Sequence, residues 1–318
     1  MTASFGIVSG EDAYHQPDDI LRDADLAMYE AKALRKAQNV IFSPKLRTHA
    51  LERLLMENDL HQALDRDEFV LYYQPIMQFD TGMFSGFEAL IRWHRPEHGL
   101  VPPMEFIPTA ESSDLILPIT QWVLNEACRQ MREWQIMIPS RSNLSISVNI
   151  SPKLFSQPEL PGIVENALTA SGLESHSLNL EVTGGAIVED STEAKKILEA
   201  CRKQGIQVHL DDFGTGYSSL SYLHHFPIDT LKIDRAFVTC IQANGDQGEI
   251  VRTIIALARE LNIDVIAEGV EALEQLDFLK GLGCQAGQGY YISYPLDSNA
   301  AGTLLRAKLS DGSKEMIQ

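Results

Sequence analysis

Apolar residues recur along this chain with two different periods. From residue 69 onward, short apolar runs read as strands: FVLYYQPIM, FSGFEALIRW, LSISVNIS, LNLEVT, QVHLDDF, TLKIDR, DVIAEGV and CQAGQGYYI. Among the later ones lie segments with helical spacing: GIVENALTASG, STEAKKILEACRKQG, EIVRTIIALARELN and ALEQLDFLKGLG. Several of these end at glycine, the residue a left-handed C-cap favours. Strands alternating with helices over about 230 residues predict an α/β fold, and eight strands favour a (β/α)8 barrel of the TIM type. A doubly wound sheet is the competing arrangement.

Ahead of the barrel the pattern changes. TASFGIVS alternates as a short strand, and DDILRDADLAMYEAKALRK reads as an amphipathic helix carrying Ile20, Leu21, Ala24, Leu26, Ala27, Met28 and Ala31 near helical spacing. One strand and one helix cannot bury a core alone, so residues 1–45 read as the tail of a larger unit. Residues 46–64, LRTHALERLLMENDLHQAL, predict a connector helix, with Leu51, Leu54, Leu55 and Leu64 on or near one stripe. The repeat is too short for a dimerising coiled coil. The barrel is expected over residues 65–305, with 306–318 as a tail.

Composition narrows the function classes. The chain has 318 residues, 44% of them hydrophobic, as a soluble protein with a full core would. No run of eighteen apolar residues suggests a membrane span, and MTASFGIVSG lacks the basic and apolar regions of a signal peptide. Cys128, Cys201, Cys240 and Cys284 are dispersed with no CxxC pair, which argues against a zinc site or a disulfide framework. They read as small buried hydrophobes in a reducing, cytoplasmic setting. A net charge of −18 disfavours DNA and anionic membranes as partners. A small phosphate ligand fits only where metal ions reverse the local field.

The strands themselves carry polar residues that do not belong in a core. Glu88 lies in FEALIRW, Asn149 follows SISV, Glu181 follows LNL, and Asp211 and Asp212 follow QVHL. Lys232 lies in TLKID, Glu268 in DVIAEG and Gln288 in AGQGYY. Buried barrel strands should read as nearly continuous Val, Ile and Leu, and burying a lone charge costs several kcal/mol. In a barrel, the carboxyl ends of the strands converge on one mouth, which gathers these groups. Oxygen ligands without a His or Cys cluster suit Mg²⁺ or Mn²⁺. Carboxylate-held cations with a lysine nearby suit phosphoryl transfer. A metal-free acidic mouth with two carboxylates in the manner of a glycosidase is the other reading. His209, a lone histidine beside the acidic pair, reads as structural.

The motifs FEALIRW, SVNIS, LEVT, DDFGTGYSSL, LKID, AEGVE and GQGYYIS occur in this order, together with YYQPI and MEFIPTAE. Over residues 65–300 the chain resembles an EAL domain. The resemblance implies a modified (β/α)8 barrel that hydrolyses cyclic di-GMP to linear pGpG using one or two Mg²⁺ or Mn²⁺ ions. It implies that Glu88, Asn149, Glu181 and Asp211 bind the first metal and that Asp211 and Asp212 reach the second. Glu268 would be general base or second-site ligand, Lys232 would position water or offset phosphate charge, and Gln288 would support the site. Gln74, Leu90 and Arg92 would contact substrate; Asp234 and Glu271 belong to the same motifs with either a structural or a direct role. It also implies pairing of two barrels as a homodimer. TASFGI with ADLAMYEAK resembles the last strand and helix of a GGDEF domain. The signature of that domain is absent, so no cyclase activity is expected, and a longer signalling protein with upstream GGDEF or sensor domains is implied.

One position departs from the pattern. Where the family reads Glu-x-Thr-Glu, this chain has Glu181-Val182-Thr183-Gly184. The missing carboxylate would anchor the loop HLDDFGTGYSSL, and glycine adds backbone freedom there. A cyclic di-GMP receptor or allosteric module with little turnover is therefore the alternative to an enzyme. The same loop is not a phosphate cradle, because Tyr217 and Ser218 stand where a P-loop needs Lys and Ser/Thr.

Overall fold

The computed structural model describes residues 3–9, 16–33, 39–185, 191–214, 226–241 and 248–310. Strand β1 (Phe5–Ile7), helix α1 (Pro17–Ala33) and strand β2 (Asn39–Ile41) form a small unit in which the two strands pair in parallel. The sequence suggested only one strand here; NVI is a strand of three residues, too short to show a period. A Cβ on Gly6 would stand 2.2 Å from Ala24 O, so glycine lets α1 lie directly on β1. Helix α2 (Pro44–Ala63) follows and buries Leu60 and Ala63 against the barrel. Arg47 on α2 donates from Nη2 to both oxygens of the fully buried Asp23 on α1, at 2.9 and 2.7 Å.

The barrel begins with β3 (Phe69–Gln78) and β4 (Phe84–Arg95), and β5 (Gly99–Val101) pairs outside β4. Helices α3 (Pro103–Ser112) and α4 (Ile116–Met137) come next, neither of them read from the sequence. Pro103, Pro108 and Pro118 break up the helical signature of the segment. Yet Ile119, Val123, Ala127, Met131 and Trp134 of α4 are buried in the core. The chain continues through β6 (Ser145–Asn149), α5 (Leu160–Ser171), β7 (Leu178–Thr183), α6 (Ser191–Lys203), β8 (Gln207–Phe213) and β9 (Thr230–Ile233). It ends with α7 (Arg235–Val238), α8 (Glu249–Glu260), β10 (Asp264–Ala267), α9 (Leu273–Gly281), β11 (Ala286–Gly287) and α10 (Ser298–Ser310).

The sheet runs β3-β11-β10-β9-β8-β7-β6-β4 and closes through β3–β4, which excludes the doubly wound alternative. β3 is antiparallel to both β4 and β11, while the other neighbours within the closed ring are parallel. This is a modified TIM barrel. Cys128, Cys201 and Cys284 are buried as expected, but Cys240 is exposed, just beyond the four-residue α7.

Candidate functional site

Strand register sets the polar residues side by side. Asn149 pairs with Glu181 across β6 and β7, and Glu181 pairs with His209 across β7 and β8. Glu88 pairs with Gln74 across β3 and β4. Lys232 comes from the middle of β9, while Glu268 and Gln288 follow β10 and β11 directly.

Lys232 is the hub. Its Nζ lies 2.6 Å from Glu181 Oε2, 2.7 Å from Glu268 Oε1, 3.0 Å from Glu88 Oε2 and 3.5 Å from Asp211 Oδ1. Around it, Asn149 Nδ2 donates to Glu88 Oε1 at 2.7 Å. Gln288 Nε2 donates to Glu88 Oε2 at 2.6 Å and to Glu268 Oε1 at 2.9 Å. Glu88, Glu181, Lys232 and Gln288 are all buried. One ammonium thus faces four carboxyl groups.

The electrostatics follow. Burial opposes the charge on Lys232, but the carboxylates of Glu181, Glu268, Glu88 and Asp211 hold its ammonium well above the usual lysine range. Burial and the neighbouring Glu88 push Glu181 well above the usual carboxylate range, against the pull of Lys232. Glu268 is raised by burial, with Lys232 opposing and Asp211 and Glu88 adding to the rise. Burial would raise Glu88 too, yet Lys232 and the donors Gln288 and Asn149 bring it below its ordinary value. His209 is pushed down to about 4 by burial, with the Lys232 ammonium adding to the effect.

A second group lies toward solvent. Asp211, Asp212 and Glu268 bring carboxylate oxygens within 4.8 Å of one another. Burial and then the Asp211 carboxylate push Asp212 up to about 6. Asp212 has a left-handed backbone, φ 53°, and its N–H donates to Asp211 Oδ1 at 2.9 Å. Gly214 has φ 104°, and a Cβ there would stand 2.5 Å from the Phe237 ring, so the turn after the aspartates requires glycine. Gly184 directly follows β7 and is half-buried. The rest of the loop, including Gly216, Tyr217 and Ser218, lies outside the described residues, and with it the anchoring role assigned to position 184.

A cavity of about 330 Å³ opens over the cluster. Gln74, Glu88, Leu90, Asn149, Asp211, Glu268 and Gln288 line it, so these candidates converge on one space. Lys232 and Glu181 lie beneath it. Arg92 is not in the lining: its Nη1 donates to Ile91 O at 2.8 Å, and the guanidinium stands 5.7 Å over the Tyr72 ring. Asp234 caps α7 by accepting from Ala236 N at 2.7 Å. The rim holds two residues that the sequence did not single out, Arg235 and Tyr290. Arg235 Nη2 pairs with Glu271 Oε1 at 2.7 Å, and Tyr290 stacks on Tyr294 with centroids 4.4 Å apart. Gly269 lets Arg235 lie across the rim, since a Cβ there would stand 2.2 Å from Arg235 Cγ. Their only signal was position, directly after LKID and GQG.

The EAL domain family model matches residues 57–295. Over 296 residues the chain is 40% identical to the bifunctional diguanylate cyclase/cyclic di-GMP phosphodiesterase MucR of Pseudomonas aeruginosa, covering 93% of this chain and 43% of that protein. It is 36% identical to the cyclic di-GMP phosphodiesterase PdeR of Escherichia coli over 94% of this chain and 45% of that protein. The chain spans about two fifths of the length of the curated relatives it matches. Among solved structures, the MucR phosphodiesterase of P. aeruginosa in complex with c-di-GMP superposes with a TM-score of 0.73 at 42% identity, covering 78% of this chain and 99% of that one. The FimX EAL domain of P. aeruginosa bound to c-di-GMP gives 0.68 at 26% identity, covering 76% and 96%. Closed barrel, ordered motifs and relatives agree: this chain belongs to the EAL domain family.

Proposed function

We propose that this barrel hydrolyses cyclic di-GMP to linear pGpG with the help of Mg²⁺ or Mn²⁺. One observation carries the reading: a single ammonium facing four carboxyl groups under an open cavity. Such a mouth repels a phosphodiester unless cations offset the charge. The donors fit hard cations, because all are oxygens, with the carboxylates drawn together around Lys232. Glu88, Asn149, Glu181 and Asp211 would hold one ion, and Asp211 and Asp212 would reach a second. A bound cation of this kind polarises phosphoryl oxygens and lowers the pKa of water.

The chain's own residues do the rest. Lys232 holds Glu88, Glu181, Asp211 and Glu268 in place as a buried counter-charge. Glu268 stands at the cavity with its proton affinity raised, as a base that takes the proton of the attacking water should. Asp212 is poised to share that role. Gln74, Leu90 and Gln288 form the wall against which substrate would lie, and Arg92 would join them by leaving the Ile91 carbonyl. The c-di-GMP held by the MucR and FimX structures supports the choice of ligand.

Gly184 favours a second reading, a cyclic di-GMP receptor or allosteric module with little turnover. The TASFGI and ADLAMYEAK motifs support taking residues 1–45 as the end of a GGDEF domain, within a longer cytoplasmic signalling protein that pairs through its barrels. Purified chain is incubated with cyclic di-GMP and Mn²⁺ and the products are separated. Appearance of pGpG is expected. No product at micromolar enzyme overturns the phosphodiesterase, and binding without product establishes the receptor.

A further inference from the structure

His209 sits in β8 beside Glu181 and two residues before Asp211, with 3% of its surface exposed. Among the described residues, neither ring nitrogen has a hydrogen-bond partner. Glu181 Oε1, also buried, has none either, and it stands 3.9 Å from His209 Nδ1. The other oxygen, Oε2, takes the Lys232 ammonium at 2.6 Å. Leaving a buried polar atom unpaired is unfavourable. Two such atoms that face each other, about 1 Å beyond hydrogen-bond length, amount to one bond waiting to close. A residue serving only as filler in this layer needs no nitrogen.

We propose that His209 is a positioning residue for Glu181: its Nδ1–H donates to Oε1 and fixes the orientation of a carboxylate whose Oε2 meets the Lys232 ammonium. The tautomer is assigned from the acceptor that faces Nδ1. A carboxylate on a buried strand can face a cation in more than one orientation, and a hydrogen bond to one oxygen fixes which. Partners that orient a ligating group in this way commonly change metal affinity by 10–100-fold. The inference rests on the reading of Glu181 as a metal ligand; it adds what holds that carboxylate in place.

The test is a calorimetric titration of Mn²⁺ into the metal-free full chain, without nucleotide. His209→Leu is expected to weaken Mn²⁺ binding by about tenfold or more, and His209→Asn, which keeps a donor near Nδ1, to restore it to within about threefold. Wild-type affinity in His209→Leu overturns the positioning role while the metal reading stands. If wild-type protein takes up no Mn²⁺, the metal reading itself fails. Should His209→Leu not fold, ¹⁵N spectra of the wild-type imidazole decide. A slowly exchanging Nδ1 proton whose resonance moves on adding Mg²⁺ is expected. An Nε2–H tautomer, or an Nδ1 proton in fast exchange, overturns the proposal.

Discussion

The barrel mouth and the amino-terminal unit depart from ordinary burial in opposite directions. At the mouth, Lys232 is 0% exposed among carboxyl groups. In the β1–α1–β2 unit, Phe5 and Ile41 are 58% and 63% exposed. Gly6 faces α1, so Phe5 and Ile7 stand on the opposite face of the two-stranded sheet. The mouth solves its problem internally, by four ion pairs and the amide donors of Asn149 and Gln288. The two-stranded sheet has no second layer among the described residues to cover its apolar face. Buried polarity that is satisfied from within points to chemistry; exposed apolar surface points to packing that this segment does not itself provide.

The comparison breaks first at Glu88. Glu88→Ala is expected to lower pGpG formation on the order of a thousandfold, because it removes a proposed ligand and an acceptor for Asn149, Gln288 and Lys232. The fold should survive. Lys232 keeps Glu181, Asp211 and Glu268, and one carboxylate fewer lessens their mutual repulsion. Activity near the parent level with unchanged circular dichroism would remove Glu88 from the metal site.

A pH effect of on the order of 3 kcal/mol comes next, from His209. Its pKa in the fold, about 4, lies below the ordinary 6.5. The unfolded chain therefore binds the proton first, so this contribution is complete above pH 6.5 and is lost as pH falls toward 4. Asp212 has the opposite sign, about 6 against an ordinary 3.8, and stability is lost as pH rises through that window. It is exposed, so solvent screens its share. His209→Asn should become progressively more stable relative to the parent as pH drops from 6.5 to 4. Urea unfolding at pH 7, 5.5 and 4.5 measures the difference, and a constant one refutes the assignment.

The readability of the sequence differed in the same way between the two regions. The strands around the mouth were legible because buried parallel strands are apolar and their interruptions stand out: Glu88, Asn149, Glu181 and Lys232 all fell together. CQAGQGYYI read as a full strand but yields only Ala286–Gly287 in β11. Gly289, at φ 157° and with Val270 N 2.2 Å from where a Cβ would be, turns the chain away. Arg235 and Tyr290 escaped notice because they meet at the rim from segments far apart in the chain, a proximity that no spacing encodes. His209 looked like an ordinary core histidine; only the paired orphan atoms set it apart. At the amino terminus, β1 was legible in TASFGIVS, but the three residues of β2 carry too little pattern to be seen.

Gly184→Glu sharpens the comparison on a smaller scale. A carboxylate after β7 would add one charged hydrogen-bond acceptor, worth on the order of 1.5–3 kcal/mol, to hold the loop that follows Asp211 and Asp212. Turnover should rise, or the Mg²⁺ requirement fall, by about tenfold. Steady-state rates across a Mg²⁺ series test this, and identical curves for both proteins would show that position 184 does not anchor the loop.

Deleting residues 1–42 should have the least effect on chemistry. Leu60 and Ala63 of α2 belong to the barrel core, so the cut before Ser43 leaves that packing intact. The Arg47–Asp23 pair is lost, but Arg47 is about half exposed and returns to water at small cost. The melting temperature of the barrel and its pGpG formation should match those of the full chain. Self-association, measured by light scattering, should fall once Phe5, Ile7 and Ile41 are gone. A large drop in melting temperature would mean that the amino-terminal unit is structurally part of the barrel, and that its apolar face is exposed for a reason other than missing cover.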